Sequence, residues 1–244
     1  ALPFRLDFFF RVGMDAIGSA VNLAFFGVLF GHTGALGGWN LDQVLVVAGS
    51  VFLADAIHMT VFANNMWWFP FAVNRGDLDY YLVRPVSSLF FLSVREFAAN
   101  SFLNLILAAG VLAWAIGRYP EPFDAGSVLV YALMMLLGVF LHYALSLLFL
   151  IPVFWLHTAH GLREIYVSLD RFTGRPHGIY RGWVGRILTS ILPFALIVSY
   201  PVSVLFEGPS LGVVLHMLAA TVGIFLVMLW LWRRGLRAYA SASS

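Results

Sequence analysis

The 244-residue chain contains no cysteine and no lysine, and only 11% of its residues are charged. Each absence excludes something. Without cysteine there is neither a disulfide framework nor a thiolate metal site. Without lysine there is no phosphate-binding loop of the Walker type, whose lysine reaches the β- and γ-phosphates. The low charge excludes an ordinary soluble domain, which carries roughly 25% charged residues to cover its core. What the chain has instead is apolar mass. The hydrophobic fraction is 61% and the mean hydropathy +0.88. Lipid is the solvent that suits such a composition.

A helix needs roughly 20 mostly apolar residues to cross a bilayer. Six stretches meet that requirement: Val12–Gly31, Val44–Ala63, Phe97–Ile116, Ser127–Ile151, Ile187–Phe206 and Leu211–Trp232. Helices are expected because each satisfies its own backbone hydrogen bonds in lipid, and runs as continuous as Leu129–Ile151 do not suit a barrel. The expected fold class is therefore an all-α membrane protein, with residues 1–244 forming a single transmembrane domain. The chain begins at Ala1 rather than methionine, which points to a preceding segment. Arg5, Asp7 and Arg11 break the first apolar run, so it does not read as a signal peptide.

The joints between spans alternate in character. His32–Gln43, Gly117–Gly126 and Glu207–Ser210 are short and nearly free of basic residues, whereas Asn64–Glu96 and Pro152–Arg186 (loops 64–96 and 152–186) are long and basic. Thirteen of the fourteen arginines fall on the side of the long loops and the termini, and only Arg118 falls on the other. The positive-inside rule places both termini and both long loops in the cytoplasm. Trp67, Trp68, Trp155, Trp183, Trp230 and Trp232 all fall near cytoplasmic ends of spans, where aromatic belts sit.

Both long loops carry helical signals. In Gly76-Asp77-Leu78-Asp79-Tyr80-Tyr81-Leu82-Val83-Arg84-Pro85, Gly76 permits a turn, Asp77 is placed to cap a helix, and Pro85 ends it. The expectation is an interfacial helix of about two turns; an ordinary connector is the competing reading. In the second loop Leu162, Ile165 and Leu169 recur at helical spacing between Arg163, Glu164 and other polar residues, which predicts a second interfacial helix. Pro193 and Pro201 mark a kink or partly re-entrant segment in the fifth span.

Ionisable groups at membrane depth cost at least roughly 2.5–3.5 kcal/mol on insertion scales, so each needs an account. Asp15 is one turn beyond Arg11, a pairing that can snorkel to the cytoplasmic edge. Asp55 and His58 share one face of the second span. They read either as a cation-attracting site on a pathway or as a polar clamp to a neighbouring helix. His142 and His216 stand alone in apolar stretches and read as satisfied structural histidines. His157 and His160 lack a third ligand, so no metal site is expected. Asn100, Ser101 and Asn104 suit interhelical hydrogen bonding, and Gly13, Gly18 and Gly27 suit close helix approach.

The segments Gly76-Asp77-Leu78-Asp79-Tyr80-Tyr81-Leu82-Val83-Arg84-Pro85-Val86-Ser87 and Leu192-Pro193-Phe194-Ala195…Tyr200-Pro201, with six spans and cytoplasmic ends, resemble the membrane subunit of type-2 ABC exporters, in the viologen-exporter-like branch of bacterial permeases. The resemblance extends over nearly the whole chain. It implies the type-2 ABC exporter transmembrane fold, a homo- or heterodimer of permeases in the bacterial inner membrane, and a separate ATPase subunit that carries ATP and Mg. No cofactor is expected on this chain, and no nucleic acid among its partners. Asp77, Leu78, Asp79, Tyr80, Tyr81, Leu82 and Arg84 would form the helix that couples to the ATPase, with Leu162–Leu169 as a second contact. Asp55, His58, Pro193, Tyr200 and Pro201 would belong to the pathway. Family members begin with an amphipathic elbow helix, of which only the end, near Leu2–Phe10, would be present.

Two other classes compete. An intramembrane enzyme needs a nucleophile and base at matching depth, and Gly208-Pro209-Ser210 has no histidine to serve it. A secondary transporter or a non-transporting assembly subunit remains; inverted repeats would favour the carrier, and the two halves show no convincing match.

Overall fold

A computed structural model describes residues 2–85, 87–98, 101–158, 160–180 and 182–242, the side chains of residues 2–12, 15, 160, 177 and 240–242 excepted. The expected Arg11–Asp15 pair, the His157–His160 pair, Asn100 and the elbow's side-chain contacts lie outside what is described. The described residues are helical, joined by turns. The first helix, α1, runs Leu2–Phe30 without a break that would set off an elbow.

Then α2 (Leu41–His58) passes through a π-helical turn, Met59–Ala63, into α3 (Asn64–Arg75). A full capping box starts α2: Asn40 Oδ1 accepts from the Gln43 amide at 2.9 Å, and Gln43 Oε1 accepts from the Asn40 amide at 3.0 Å. The three segments form one helix of 35 residues, Leu41–Arg75. The expected loop 64–96 therefore begins only at Gly76. Met66, Phe69, Pro70 and Val73 are buried, and that burial outweighs the helix-weakening effect of Pro70. At Gly76 the backbone turns left-handed, φ 80°, and the helix ends.

Two short helices come next, α4 (Asp79–Leu82) and α5 (Ser88–Ser93), and then α6 (Phe102–Arg118). Beyond them α7 (Ala125–Leu150) and α8 (Val153–Leu156) together keep the chain helical over Ala125–Leu156. The second loop thus begins at His157, whose φ of 52° is the left-handed stop. It holds α9 (His160–Asp170) and leads to α10 (Gly182–Arg186) and a second π turn, Ile187–Ile191. After Pro193 come a 3-10 turn, Phe194–Leu196, and α11 (Ser199–Glu207). The last helix is α12 (Leu211–Ala242).

Among the described residues, three helices are long and apolar enough to cross a membrane: Leu41–Arg75, Ala125–Leu156 and Leu211–Tyr239. The pair Gly182–Ile191 and Phe194–Glu207, bent by 75° at Leu192–Pro193, makes a fourth if taken as one broken span. The remaining two expected spans correspond to shorter apolar helices, Ala16–Phe30 and Phe102–Arg118.

The core lies where α7 meets its neighbours. Gly138 lets α7 approach the broken segment so closely that a Cβ there would collide with the Ile197 carbonyl oxygen. Gly49 does the same between α2 and α6, where a Cβ would sit 2.9 Å from the Leu112 Cα. Gly13, Gly18 and Gly27, expected to serve this purpose, have open space around them. Hydrogen bonds add specificity: Ser50 Oγ with Tyr131 Oη at 2.8 Å, and Ser93 Oγ with Tyr143 Oη at 2.6 Å. Arg118, the arginine expected apart from the other thirteen, is matched by Asp42 at 2.9 Å. Of the six belt tryptophans, Trp67, Trp155, Trp183 and Trp230 are exposed. Trp232 is instead buried against Phe69 and Phe154.

Candidate functional site

Asp55 and His58 stand one turn apart on α2, and the π turn begins at the next residue, Met59. A π turn admits an extra residue and rotates the helix beyond it, and such turns recur at functional sites. Here the Thr60 hydroxyl bonds the Ala56 carbonyl at 2.7 Å, and Met59 and Ala63 are turned into a cavity.

That cavity, about 470 Å³, lies between the α2–α3 helix, α7 and α9. Met66, Trp67, Pro70 and Phe71 make one wall, Ser146 and Leu150 another, and Tyr166, Val167 and Asp170 a third. Its lining is exposed at Asn74, His157, Thr158 and Arg163, a polar mouth, and also at Met59, Trp67, Phe71 and Val167. Asn74 Nδ2 donates to the His157 carbonyl at 3.0 Å, and the Arg163 guanidinium stacks over Trp67 at 4.8 Å.

At the inner end the site becomes polar. His142, buried on α7, presents Nε2 to an Asp170 carboxylate oxygen at 3.1 Å and Nδ1 toward Asp55 at 4.0 Å. His58 stacks on the same ring, with centroids 4.1 Å apart and planes 16° apart, and its Nε2 lies 3.4 Å from Ser146 Oγ. Tyr166 Oη is buried beside them without a hydrogen-bond partner. Burial, reinforced by the Asp170 and Asp55 carboxylates, pushes this phenol well above the usual tyrosine range, so it stays a donor.

His142 therefore does not stand alone as the sequence suggested, while His216 is satisfied by the Thr189 carbonyl at 2.8 Å. The carboxylates of Asp55 and Asp170 and a nitrogen of His142 lie within 4.8 Å of one another, close enough to raise the question of a metal. They do not converge on one point. Each carboxylate makes its nearest approach to a different ring nitrogen, Asp170 to Nε2 and Asp55 to Nδ1. The arrangement is a hydrogen bond from α7 to α9, His142 to Asp170, with Asp55 of α2 facing the unbonded Nδ1 across 4.0 Å.

The other expected pathway residues are elsewhere. Pro193 is buried at the bend and Pro201 in the first turn of α11. Tyr200 packs its ring 5.6 Å from His216. None of the three lines the cavity.

The first interfacial helix is one turn, not two, and its cap is Leu78 rather than Asp77, without a side-chain hydrogen bond. Leu78 is fully buried, whereas Asp77, Asp79, Tyr80 and Leu82 are exposed to varying degrees. Arg84 bonds Tyr80 Oη and lies over the Tyr80 and Phe91 rings at 4.4 and 4.8 Å. Arg95 holds Tyr81 Oη at 3.1 Å and stacks over Trp68 at 3.9 Å. On α9, Leu162 and Leu169 are half-buried as expected. Ile165 is exposed along with Arg163 and Glu164, and Tyr166 takes the inward place assigned to it.

Comparison with curated proteins and with solved structures returns no match. Comparison with protein families matches residues 16–243 to one described as ABC-2 family transporter protein. With nearly the whole length matched and an apolar helical body, the chain belongs to the ABC-2 family of transporter proteins.

Proposed function

We propose that this ABC-2 membrane protein is the permease subunit of an ATP-driven exporter, moving an amphipathic, cationic cargo or a lipid out of the cytoplasm by alternating access. A separate ATPase subunit, binding ATP and Mg, supplies the energy, and a second permease, identical or not, completes the transporter. Six spans with both termini in the cytoplasm of a bacterial inner membrane complete the reading. The exposed Asp77, Asp79, Tyr80 and Leu82, with the half-buried Tyr81 and Arg84 beside them and the buried Leu78 beneath, meet the ATPase. Arg163, Glu164 and Ile165 of α9 offer a second contact.

The observation that carries the reading is the cavity. Its walls are largely apolar and aromatic, and Asp55 and Asp170 are set among them. Apolar walls favour a greasy cargo, and acidic groups at depth favour one with positive charge.

The test is cargo-stimulated ATPase activity of the complex reconstituted in vesicles, with cationic and neutral cargoes of similar shape. Asp55→Asn should weaken the response to the cations at least about tenfold, as expected for a lost charge-assisted contact, and leave the neutral response nearly unchanged. Equal loss for both would remove Asp55 from cargo recognition. Loss of ATPase co-purification on replacing Tyr80 and Leu82 would support docking at α4; unchanged co-purification would refute it.

A further inference from the structure

His142 is held by two carboxylates, and the manner of its holding says what the site contains when no cargo is bound. Asp170 faces Nε2 at 3.1 Å and Asp55 faces Nδ1 at 4.0 Å. An imidazole with one proton can donate to only one of them; its bare nitrogen would then point a lone pair at a carboxylate. With both nitrogens protonated, Asp170 accepts from Nε2, and Asp55 faces a positive Nδ1–H across 4.0 Å instead of a lone pair. His58, stacked 4.1 Å away, is placed to carry no charge of its own, since a second imidazolium would oppose the first. The other titratable groups around the ring are the Tyr166 phenol on α9 and, at the mouth, His157 and Arg163.

We propose that a proton on His142 fills the cation site of the empty cavity, and that a singly charged cargo cation displaces it. The exchange is balanced: before it, two carboxylates and one imidazolium; after it, two carboxylates, a neutral imidazole and the cargo. The proton leaves to water through the mouth, and the net charge of the half-buried cluster is unchanged. That matters because an uncompensated charge at this depth is costly. The second carboxylate, Asp170, comes from α9, so its hold on His142 ties that cytoplasmic helix to the occupancy of the cavity.

The inference rests on the cationic-cargo reading above, and the test separates the two. Tetraphenylphosphonium binding to the full complex in lipid nanodiscs is followed by calorimetry in buffers of low and high ionisation enthalpy. Close to one proton should be released per cation at about pH 6, below the range where free imidazole loses its charge. The dissociation constant should tighten about tenfold per pH unit there and level off once the ring is already neutral. His142→Gln should bind the cation without proton release and without that slope. Asp170→Asn, a second variant should the first not fold, should weaken binding at least about tenfold and lower the release. Binding by the wild type with no release, or release retained in His142→Gln, overturns the exchange and leaves a cationic cargo standing. No binding of tetraphenylphosphonium, with normal ATPase co-purification, overturns both the exchange and the cationic cargo.

Discussion

Gly138 is the position where one missing side chain decides how the core closes. With the Ile197 carbonyl already occupying the place of its Cβ, any larger residue must push α7 away from the broken segment. Gly138→Ala should cost about 1–3 kcal/mol, the usual penalty of overpacking, seen as a lower Tm in detergent. Gly110→Ala, where nothing lies within 4 Å, should leave Tm unchanged or raise it slightly. Equal losses at both would mean that the close approach of Gly138 is not what holds α7 in place. The hydroxyl pairs are smaller matters. Tyr131→Phe removes the 2.8 Å bond to Ser50 and should cost about 1 kcal/mol, most directly measured as a double-mutant cycle with Ser50→Ala.

Among the elements, α4 and α9 show how far a sequence can be read. Turn and cap signals predicted a short helix in the first long loop and apolar periodicity one in the second, and both segments are helical. What periodicity could not show was which face of α9 turns inward. Tyr166, an amphipathic ring, took the place expected of Ile165 because its neighbours include two histidine rings and two carboxylates rather than lipid. Asp170 and His142 are 28 positions apart in sequence, in the polar helix α9 and the apolar helix α7. No spacing rule links them; only the return of α9 onto α7 does. Likewise Asp55 was legible as an anomaly in the second span, but its partners were not. For α4 the prediction separates support from contact. Leu78→Ala, at a fully buried side chain, should destabilise by about 2–5 kcal/mol. Tyr80→Ala, at a side chain 61% exposed, should leave stability within about 0.5 kcal/mol of wild type while weakening ATPase co-purification.

For the whole molecule, the distribution of arginine carries the orientation, and the lack of cysteine makes that orientation easy to test. The chain is its own cysteine-free background. Glu121→Cys, exposed beyond the end of α6, should react with a membrane-impermeant maleimide on intact cells. Thr158→Cys, exposed at the mouth of the cavity, should react only after permeabilisation. The reverse pattern would invert the proposed topology and turn the cavity mouth outward.

The helix Leu41–Arg75 makes a different point at this scale. Its 35 residues span about 50 Å, well beyond a hydrocarbon core of about 30 Å. Asp42 pins its outer end to Arg118, Asp55 sits partway along it, and Gly76 joins its inner end to α4. It is therefore a rod with a fixed end, a working point and a handle, and the π turn at Met59–Ala63 is the joint within it. A push on the handle either swings the cavity wall or is absorbed at the joint. In the proposed transporter, the stiffness of those five residues would set how much of an ATPase stroke reaches the cargo.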